Sequence, residues 1–308
     1  MLPNVVLVVA DYPPQRDEQG RMVERRNIGS GVVVSQSGHI LTNAHVIDGA
    51  ATLSVVLATG EQRPAQLVGD DWPFTDLALL TVPPQGLRQI AFGVSADLRP
   101  GDLVLAVSGG SGAFGGGNAV AIGVVSGTDR ALPRSGYTLE DLVQTDAAIN
   151  SGDSGGALVN LRGEFVGLLT TVVRSTVTGV HVEGVAFAQS SDSLRPIVAN
   201  LVRSGRHSRA RIGIERPERQ HLEVTPDLAA ERRLPVTAGA LVTAPQPNSP
   251  AALAGVQAGD IVVGVNGAEV TLDEPFVNLL KRVPRGSRVE LAVLRGGRVT
   301  IVPITPEE

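Results

Sequence analysis

From Val5 to about Ala188 the chain alternates short β-branched apolar runs with turns rich in Gly, Pro, Asn and Asp. Gly31 to Ser35, Thr52 to Leu57, Leu77 to Val82, Leu103 to Val107, Ala119 to Val125, Phe165 to Val173 and Gly184 to Phe187 have the length and residue types of strands. Val5-Val6-Leu7-Val8-Val9 reads as a first strand. So many strands without a long helical stripe predict one or two antiparallel barrels or sandwiches. The charged stretch Asp11 to Arg26 is nearly free of apolar residues and is predicted to be an exposed loop. Helical periodicity first appears at Leu194, Ile197, Val198, Leu201 and Val202, which fall on one stripe. Ser191 or Ser193 is the predicted cap of that helix and Gly205 its predicted end.

The polar run Arg206-His207-Ser208-Arg209 then separates a second pattern. Strand runs at Ala240 to Thr243, Ile261 to Val265, Val289 to Leu294 and Val299 to Ile304 surround two short helical candidates. These are Pro250 to Ala254 and Glu274 to Val283, the latter with Phe276, Leu279, Leu280 and Val283 on one face. Asn266-Gly267 marks a tight hairpin turn. The reading divides the chain into a first domain over residues 1–204, a linker at 205–209 and a small α+β module over 210–308.

Composition sharpens this picture. With 36 Gly, 20 Pro and 3% aromatic residues, the core must be built from Val, Leu, Ala and Ile. A net charge of -5 offers no general reason to expect nucleic acid or an acidic membrane as partner. The arginines at 203, 206, 209, 211, 216 and 219 are interleaved with Glu215, Glu218 and Glu223, which favours a solvated surface over a polyanion site. The absence of cysteine excludes disulfides, thiolate zinc sites and a cysteine nucleophile. No apolar stretch reaches the roughly 18 residues of a membrane helix. The first residues lack the basic flank and cleavage site of a secretory leader, so none is expected within this sequence.

Candidate chemistry centres on Asn150-Ser151-Gly152-Asp153-Ser154-Gly155-Gly156. A serine hydroxyl needs a positioned base, and the base an orienting carboxylate. The developing oxyanion needs backbone N–H donors, which glycine around the nucleophile helps to aim. Gly152 permits the tight turn, and Gly155 and Gly156 permit close approach of substrate backbone. In chain order, Thr42-Asn43-Ala44-His45-Val46 follows a strand and Thr75-Asp76-Leu77-Ala78-Leu79-Leu80 leads into one. Asp70 and Asp71 are rivals to Asp76 but sit in a polar turn, and Ser151 is a rival to Ser154 without the glycine pair. His39, His181, His207 and His221 read as surface or loop residues. Gly110-Ser111-Gly112-Ala113-Phe114-Gly115 matches a dinucleotide fingerprint, but a strand-like run follows where a helix is required, so a mobile active-site loop is the preferred reading.

These blocks resemble the HtrA/Deg family of trypsin-like proteases with PDZ domains. The likeness runs through Gly29-Ser30-Gly31-Val32, the His45, Asp76 and Ser154 blocks, Val185-Ala186-Phe187-Ala188, Ile212-Gly213-Ile214, Ser249-Pro250-Ala251-Ala252 and Ala258-Gly259-Asp260-Ile261 to Val265-Asn266-Gly267. It implies a mainly β fold, a chymotrypsin-like double β-barrel followed by a small α+β PDZ domain. It implies His45 as general base, Asp76 as its orienting partner and Ser154 as nucleophile, with Gly152, Asp153 and Ser154 supplying the oxyanion-hole backbone. Ile149 and the strand Leu168, Leu169, Thr170 and Thr171 would wall a pocket for a small or medium aliphatic side chain, with the Asp153 side chain turned away from it. The PDZ module would bind C-terminal peptides, with the carboxylate loop at Arg211-Ile212-Gly213-Ile214 and the other wall from Phe276, Leu279 and Leu280.

The resemblance calls for no cofactor and no metal. It implies polypeptide substrates, extracytoplasmic quality-control work, and a homotrimer as an assembly, although the N-terminal extension that carries trimer contacts in many members is not in the sequence. The chain departs from the family pattern at Asp153, commonly asparagine, at Ser151, often proline, and at the glycine-rich Ser108 to Asn118, usually a Pro-Phe-Gly loop. The competing expectation is a peptide-binding chaperone or scaffold whose protease domain stays in a resting state.

Overall fold

The computed structural model describes residues 4–17, 19–110, 117–174, 180–207, 209–284 and 286–307. Contacts divide the chain into two units. The first comprises residues 1–71, 75–130 and 140–207, and the second residues 72–74, 131–139 and 208–308.

The first unit holds two closed six-stranded barrels. Strands β1 (Val5–Arg16), β2 (Met22–Val33), β3 (His39–Asn43), β4 (Thr52–Val56), β5 (Gln62–Asp70) and β6 (Leu77–Thr81) form one, in the order β1-β2-β3-β6-β5-β4. Strands β7 (Leu103–Ser108), β8 (Ala119–Arg134), β9 (Tyr137–Thr145), β10 (Ala157–Asn160), β11 (Phe165–Val172) and β12 (Ala186–Ser190) form the other, ordered β10-β11-β12-β9-β8-β7. Closure removes the free edges that apolar strands would otherwise expose. One cluster of buried residues joins the barrels: Val5, Val32, Leu41, Leu77 and Leu79 from the first meet Val107, Ala157, Phe165 and Leu168 from the second. The loops that carry His45, Asp76 and Ser154 arise around this seam.

Asp11 to Arg26 is not a loop throughout, because β1 runs on to Arg16 and β2 begins at Met22. The two strands pair as an exposed ribbon, with Asp11 opposite Arg26 and Tyr12 opposite Arg25, and Arg26 Nε donates to Asp11 Oδ1 at 2.6 Å. A ribbon solvated on both faces has no apolar alternation to betray it, so polarity alone suggested a loop.

Helix α2 (Ser191–Ser204) docks Leu194, Ile197, Val198 and Leu201 on the joint core. Burying each such side chain contributes roughly 1.5–3 kcal/mol. Its cap is Ser190, one residue before the nearer of the two expected, whose Oγ accepts from the Ser193 N–H. Gly205 ends it in the left-handed region at φ 71°, as expected.

The second unit carries a sheet of β13 (His221–Glu223), β14 (Ala240–Val242), β15 (Ile261–Val265), β17 (Val289–Arg295) and β18 (Arg298–Ile304) in that order, with β16 (Ala268–Glu269) on β15. Asn266 at φ 49° and Gly267 at φ 82° make the predicted tight turn. The predicted helices are α4 (Pro250–Leu253) and α5 (Phe276–Lys281). The sequence reading missed α3 (Pro226–Arg232), whose start is signalled by Thr225, a side-chain cap, followed by proline.

His221 lies not on the surface, as expected, but buried at 1% exposure. Its Nδ1 is 2.8 Å from the Ile214 carbonyl, and its ring meets Phe276 edge-on. A carbonyl only accepts, so Nδ1 carries the proton. Burial pushes the imidazole down to about 4. Between that value and the unfolded one near 6.5, the unfolded chain holds a proton that the native chain refuses. Stability therefore rises with pH through this window and is lost as pH falls, by at most roughly 3 kcal/mol. Chemical unfolding of wild type and His221→Gln from pH 7 to 4 is expected to show the excess loss in wild type alone.

Candidate active site

Helix α1 (Ala44–Ile47) follows β3 directly and carries His45 at the rim of the first barrel. Asp76 immediately precedes β6, the strand paired to β3, so the two residues are brought together by that ladder. His45 Nδ1 lies 2.6 Å from Asp76 Oδ2, and the His45 N–H donates to Asp76 Oδ1 at 2.9 Å. The Asp76 carbonyl is held by the Ala44 N–H at 2.9 Å and by Asn43 Nδ2 at 3.2 Å. The Asp76 side chain is 4% exposed and that of His45 43%, so the carboxylate is shut from water while the ring opens to it. Asp76 also sits at φ 52°, a left-handed conformation that aspartate tolerates better than most residues other than glycine. Of the rivals, Asp71 is wholly buried and accepts from Thr75 Oγ1 at 2.9 Å.

A carboxylate accepts at both oxygens, so the proton of the imidazole stands on Nδ1 and its lone pair on Nε2. The histidine thereby has the tautomer of a base.

Ser154 comes from the loop before β10 and is fixed from both barrels. Its carbonyl accepts from the Ser30 N–H at 2.8 Å, and Ser30 Oγ donates to the Gly152 carbonyl at 2.8 Å. Thr42 Oγ1 in turn donates to the Ser30 carbonyl at 2.7 Å. Gly155, at φ 86°, would place a Cβ 2.1 Å from the Ser30 carbonyl oxygen, a backbone atom that cannot move aside. Gly155→Ala is expected to cost more than about 1 kcal/mol in thermal unfolding, because the φ is unsuited to alanine and the space is filled. Cleavage should fall with it.

The strand β11 contributes through a bulge. Leu169 pairs with Ala188 and Thr171 with Phe187, leaving Thr170 as the extra residue. Its carbonyl accepts from Ser154 Oγ at 3.0 Å, and its hydroxyl accepts from Asn43 Nδ2 at 3.3 Å. Asn43 thus bridges the Asp76 backbone to Thr170, and Thr170 reaches Ser154. Sequence reasoning quoted Ser30, Thr42 and Asn43 in motifs without seeing these roles, since the contacts span 122 and 127 residues in the case of Ser30 and Asn43.

Within the loop that carries Ser154 the Asp153 N–H donates to the Asn150 carbonyl at 3.1 Å, and Asp153 Oδ2 accepts from the Asn150 N–H at 2.6 Å. A cavity of about 510 Å³ adjoins this loop, lined among others by Ile149, Asn150, Ser151, Asp153, Leu169 and Arg174. Of the expected pocket walls, Ile149 and Leu169 line it. Leu168 lies in the joint core, Thr170 is buried at 2% exposure and Thr171 is half-buried. Asp153, expected to turn away from the substrate pocket, lines this cavity with its carboxylate tied to the loop backbone. Most of the glycine-rich segment, residues 111–116, lies outside the described residues. The strand β8, not a helix, follows it, as the rejection of a dinucleotide site required.

In the second unit Ile212, Ile214, Phe276 and Leu280 are buried in one apolar cluster, with Leu279 partly buried against it. Gly213, at φ 89°, has the Ser249 side chain where a Cβ would stand. Among the described residues no group of His, Asp or Glu has a metal-binding arrangement, and no helix is long and apolar enough to cross a membrane.

Residues 29–168 match the family model of a trypsin-like peptidase domain, and residues 241–295 that of a PDZ domain. The chain is 37% identical over 287 residues to the probable periplasmic serine endoprotease DegP-like of Halomonas elongata, covering 93% of this chain and 58% of that protein. It is 35% identical over 280 residues to the periplasmic serine endoprotease DegP of Salmonella typhimurium, covering 89% and 56%. The chain thus spans little more than half the length of these relatives. Among solved structures, the HtrA-type protease AlgW with decapeptide superposes with a TM-score of 0.60 at 30% identity, covering 99% of this chain and 95% of that one. The serine endoprotease from Yersinia pestis gives 0.58 at 31%, covering 99% and 93%. Two barrels with His45, Asp76 and Ser154 around their seam, a PDZ module after them, and these likenesses along nearly the whole chain place it in the HtrA/Deg family of trypsin-like serine proteases.

Proposed function

We propose that the chain is a serine endopeptidase that cuts unfolded or misfolded polypeptides, with its PDZ domain binding C-terminal peptides. The observation that carries the reading is the 2.6 Å contact between His45 Nδ1 and the buried Asp76 carboxylate, linked through Asn43 and Thr170 to Ser154. In the proposed reaction His45 Nε2 takes the Ser154 proton as Oγ bonds to the scissile carbonyl carbon. Backbone N–H groups of Gly152 and Ser154 receive the oxyanion, since that of Asp153 is engaged with Asn150. The imidazolium then protonates the leaving amine as the C–N bond breaks, and water releases the acyl group by the reverse roles.

The cavity beside Asn150 to Asp153 supports a pocket for a small or medium aliphatic side chain, Ile149 and Leu169 being its apolar walls. The periplasmic names of the relatives support work outside the cytoplasm. Domains at 1–204 and 210–308 with a linker at 205–209, and a homotrimeric assembly, belong to the same reading.

A resting form is the competing reading: Ser154 Oγ lies 3.0 Å from the Thr170 carbonyl, and a hydroxyl that donates there rotates before His45 takes its proton. Cleavage of an unfolded protein such as reduced casein, with and without C-terminal peptides, tests both readings. No cleavage under either condition would sink the enzyme reading, and cleavage only with peptide would favour the resting form.

A further inference from the structure

The segment Ile212-Gly213-Ile214 is built as an anion nest, and it holds an anion that belongs to the chain itself. Its three carbonyls are pinned outward: that of Ile212 by the Ala251 N–H at 2.9 Å, that of Gly213 by the Gln246 N–H at 2.9 Å, and that of Ile214 by His221 Nδ1 at 2.8 Å. The Arg211 carbonyl, which shares its peptide plane with the Ile212 N–H, is held by the Glu307 N–H at 3.1 Å, so with the Ile212 and Gly213 carbonyls fixed the N–H groups of Ile212, Gly213 and Ile214 are all fixed. All three converge on one atom, Glu215 Oε2, at 3.2 Å from Ile212, 2.6 Å from Gly213 and 3.1 Å from Ile214. Gly213 is the residue that lets the loop close so tightly. At φ 89° its missing Cβ would stand 2.2 Å from Ser249 Cβ.

Successive N–H groups converging on one point bind carboxylates, and charge-assisted bonds of this kind are the strong ones. Glu215 is only 4% exposed, so its carboxylate is not a passing surface group. Three N–H groups around one oxygen leave no room there for a second carboxylate oxygen. Glu215 also directly follows the loop in sequence, which gives it a high effective concentration that no free ligand matches without further contacts.

We infer that the nest of Ile212, Gly213 and Ile214 is a carboxylate-binding site whose resident occupant is the Glu215 side chain, and that the terminal carboxylate of a peptide enters only by displacing it. The inference rests on the reading of this module as a binder of C-terminal peptides. It adds that the module is closed by its own side chain. A ligand whose competent state is a minor fraction of the population binds more weakly by that fraction. The peptides that open the site must therefore supply apolar contacts along the module in addition to a carboxylate.

The test uses the full chain in a Ser154→Ala background, so that peptides are not cut. A fluorescent ten-residue peptide ending in valine with a free carboxylate is titrated against Glu215 and against Glu215→Ala, beside the same peptide as its C-terminal amide. Affinity for the free acid is expected to rise about tenfold or more in Glu215→Ala, with the amide unchanged. Glu215→Gln keeps an accepting oxygen without the charge. It should give a smaller rise, and it serves if the alanine variant fails to fold by thermal unfolding. In parallel, sodium acetate is titrated against 15N-labelled protein. The amide signals of Ile212, Gly213 and Ile214 should shift saturably in the variants and not in the Glu215 form.

Equal affinity of the free acid for all forms, or an equal gain for acid and amide, would overturn the inference while leaving peptide binding in place. Acetate shifting these amides equally in all forms would overturn it as well. Binding of neither peptide to any form would overturn the peptide reading of the module, and displacement by a peptide with it. Acetate shifts confined to the variants would still distinguish that failure from failure of the nest itself.

Discussion

Ser154→Ala is expected to lower the cleavage rate of an unfolded polypeptide by roughly 10⁶, to the level of the remaining binding and oxyanion contacts. Alanine removes the one atom that bonds to the scissile carbon and leaves the loop intact. The backbone of residue 154 is held by the Ser30 N–H, and the side chain gives up a single bond to the Thr170 carbonyl. Because that bond is partly exposed to solvent, the variant should keep its melting temperature within a few degrees. Loss of cleavage with unchanged stability would assign Ser154 to the chemistry. Cleavage that survives at more than about a hundredth of the wild-type rate would show that another group is the nucleophile. The measurement is the initial rate of casein degradation at equal protein concentrations, beside a thermal melt of each form.

Asp76→Asn should cost about 10⁴ in turnover while sparing the fold. Asparagine visits the left-handed region as readily as aspartate does, so the φ of 52° is not a new strain. Its carbonyl oxygen can still take the His45 N–H that Asp76 Oδ1 accepts at 2.9 Å. The amide nitrogen must then face His45 Nδ1 across the former 2.6 Å contact. Two donors cannot share that contact, so the imidazole proton moves to Nε2 and the base loses the lone pair it needs. Asp76→Ala would remove the same partner but also leave the His45 N–H unanswered, and should be destabilised as well as inactive. The check is the pH–rate profile of the asparagine variant on a short peptide substrate. A uniform loss with an unchanged profile, or a loss below about tenfold, would mean that Asp76 does not set the tautomer.

The strand and turn pattern made much of this fold legible. Alternating β-branched runs mark β4, β6, β7 and β11 to within a residue, because each lays apolar side chains against the core. The stripe of α2 and the cap at Gly205 were readable for the same reason: one face is buried and the chain must stop. The ribbon of β1 and β2 beyond Asp11 was not readable, since its pairing satisfies backbone groups while both faces remain wet. Nor was the burial of His221, because a ring with one proton given to a carbonyl and the other nitrogen neutral sits among apolar residues without changing the sequence pattern around it.

For the site, the order of the His45, Asp76 and Ser154 blocks and the glycines that surround them stand in the sequence. So do the resemblance to HtrA/Deg proteases and the absence of any thiol. Residue type determines which groups can act as base, acid or nucleophile, and glycine determines where the backbone can turn. Distances between residues 31 to 127 positions apart are decided only by the closed ladders that bring them together. The Ser30 hydroxyl on the Gly152 carbonyl is one such decision, and over the shorter separation of 16 positions the bulge puts the Thr170 carbonyl on Ser154 Oγ. The Glu215 carboxylate lies only one to three positions from its donors in the nest of Ile212 to Ile214, yet the tertiary bonds on the loop carbonyls decide that contact too. Glutamate beside a glycine loop reads as one more solvated charge until the pinned carbonyls of Arg211, Ile212 and Gly213 aim three N–H groups at it.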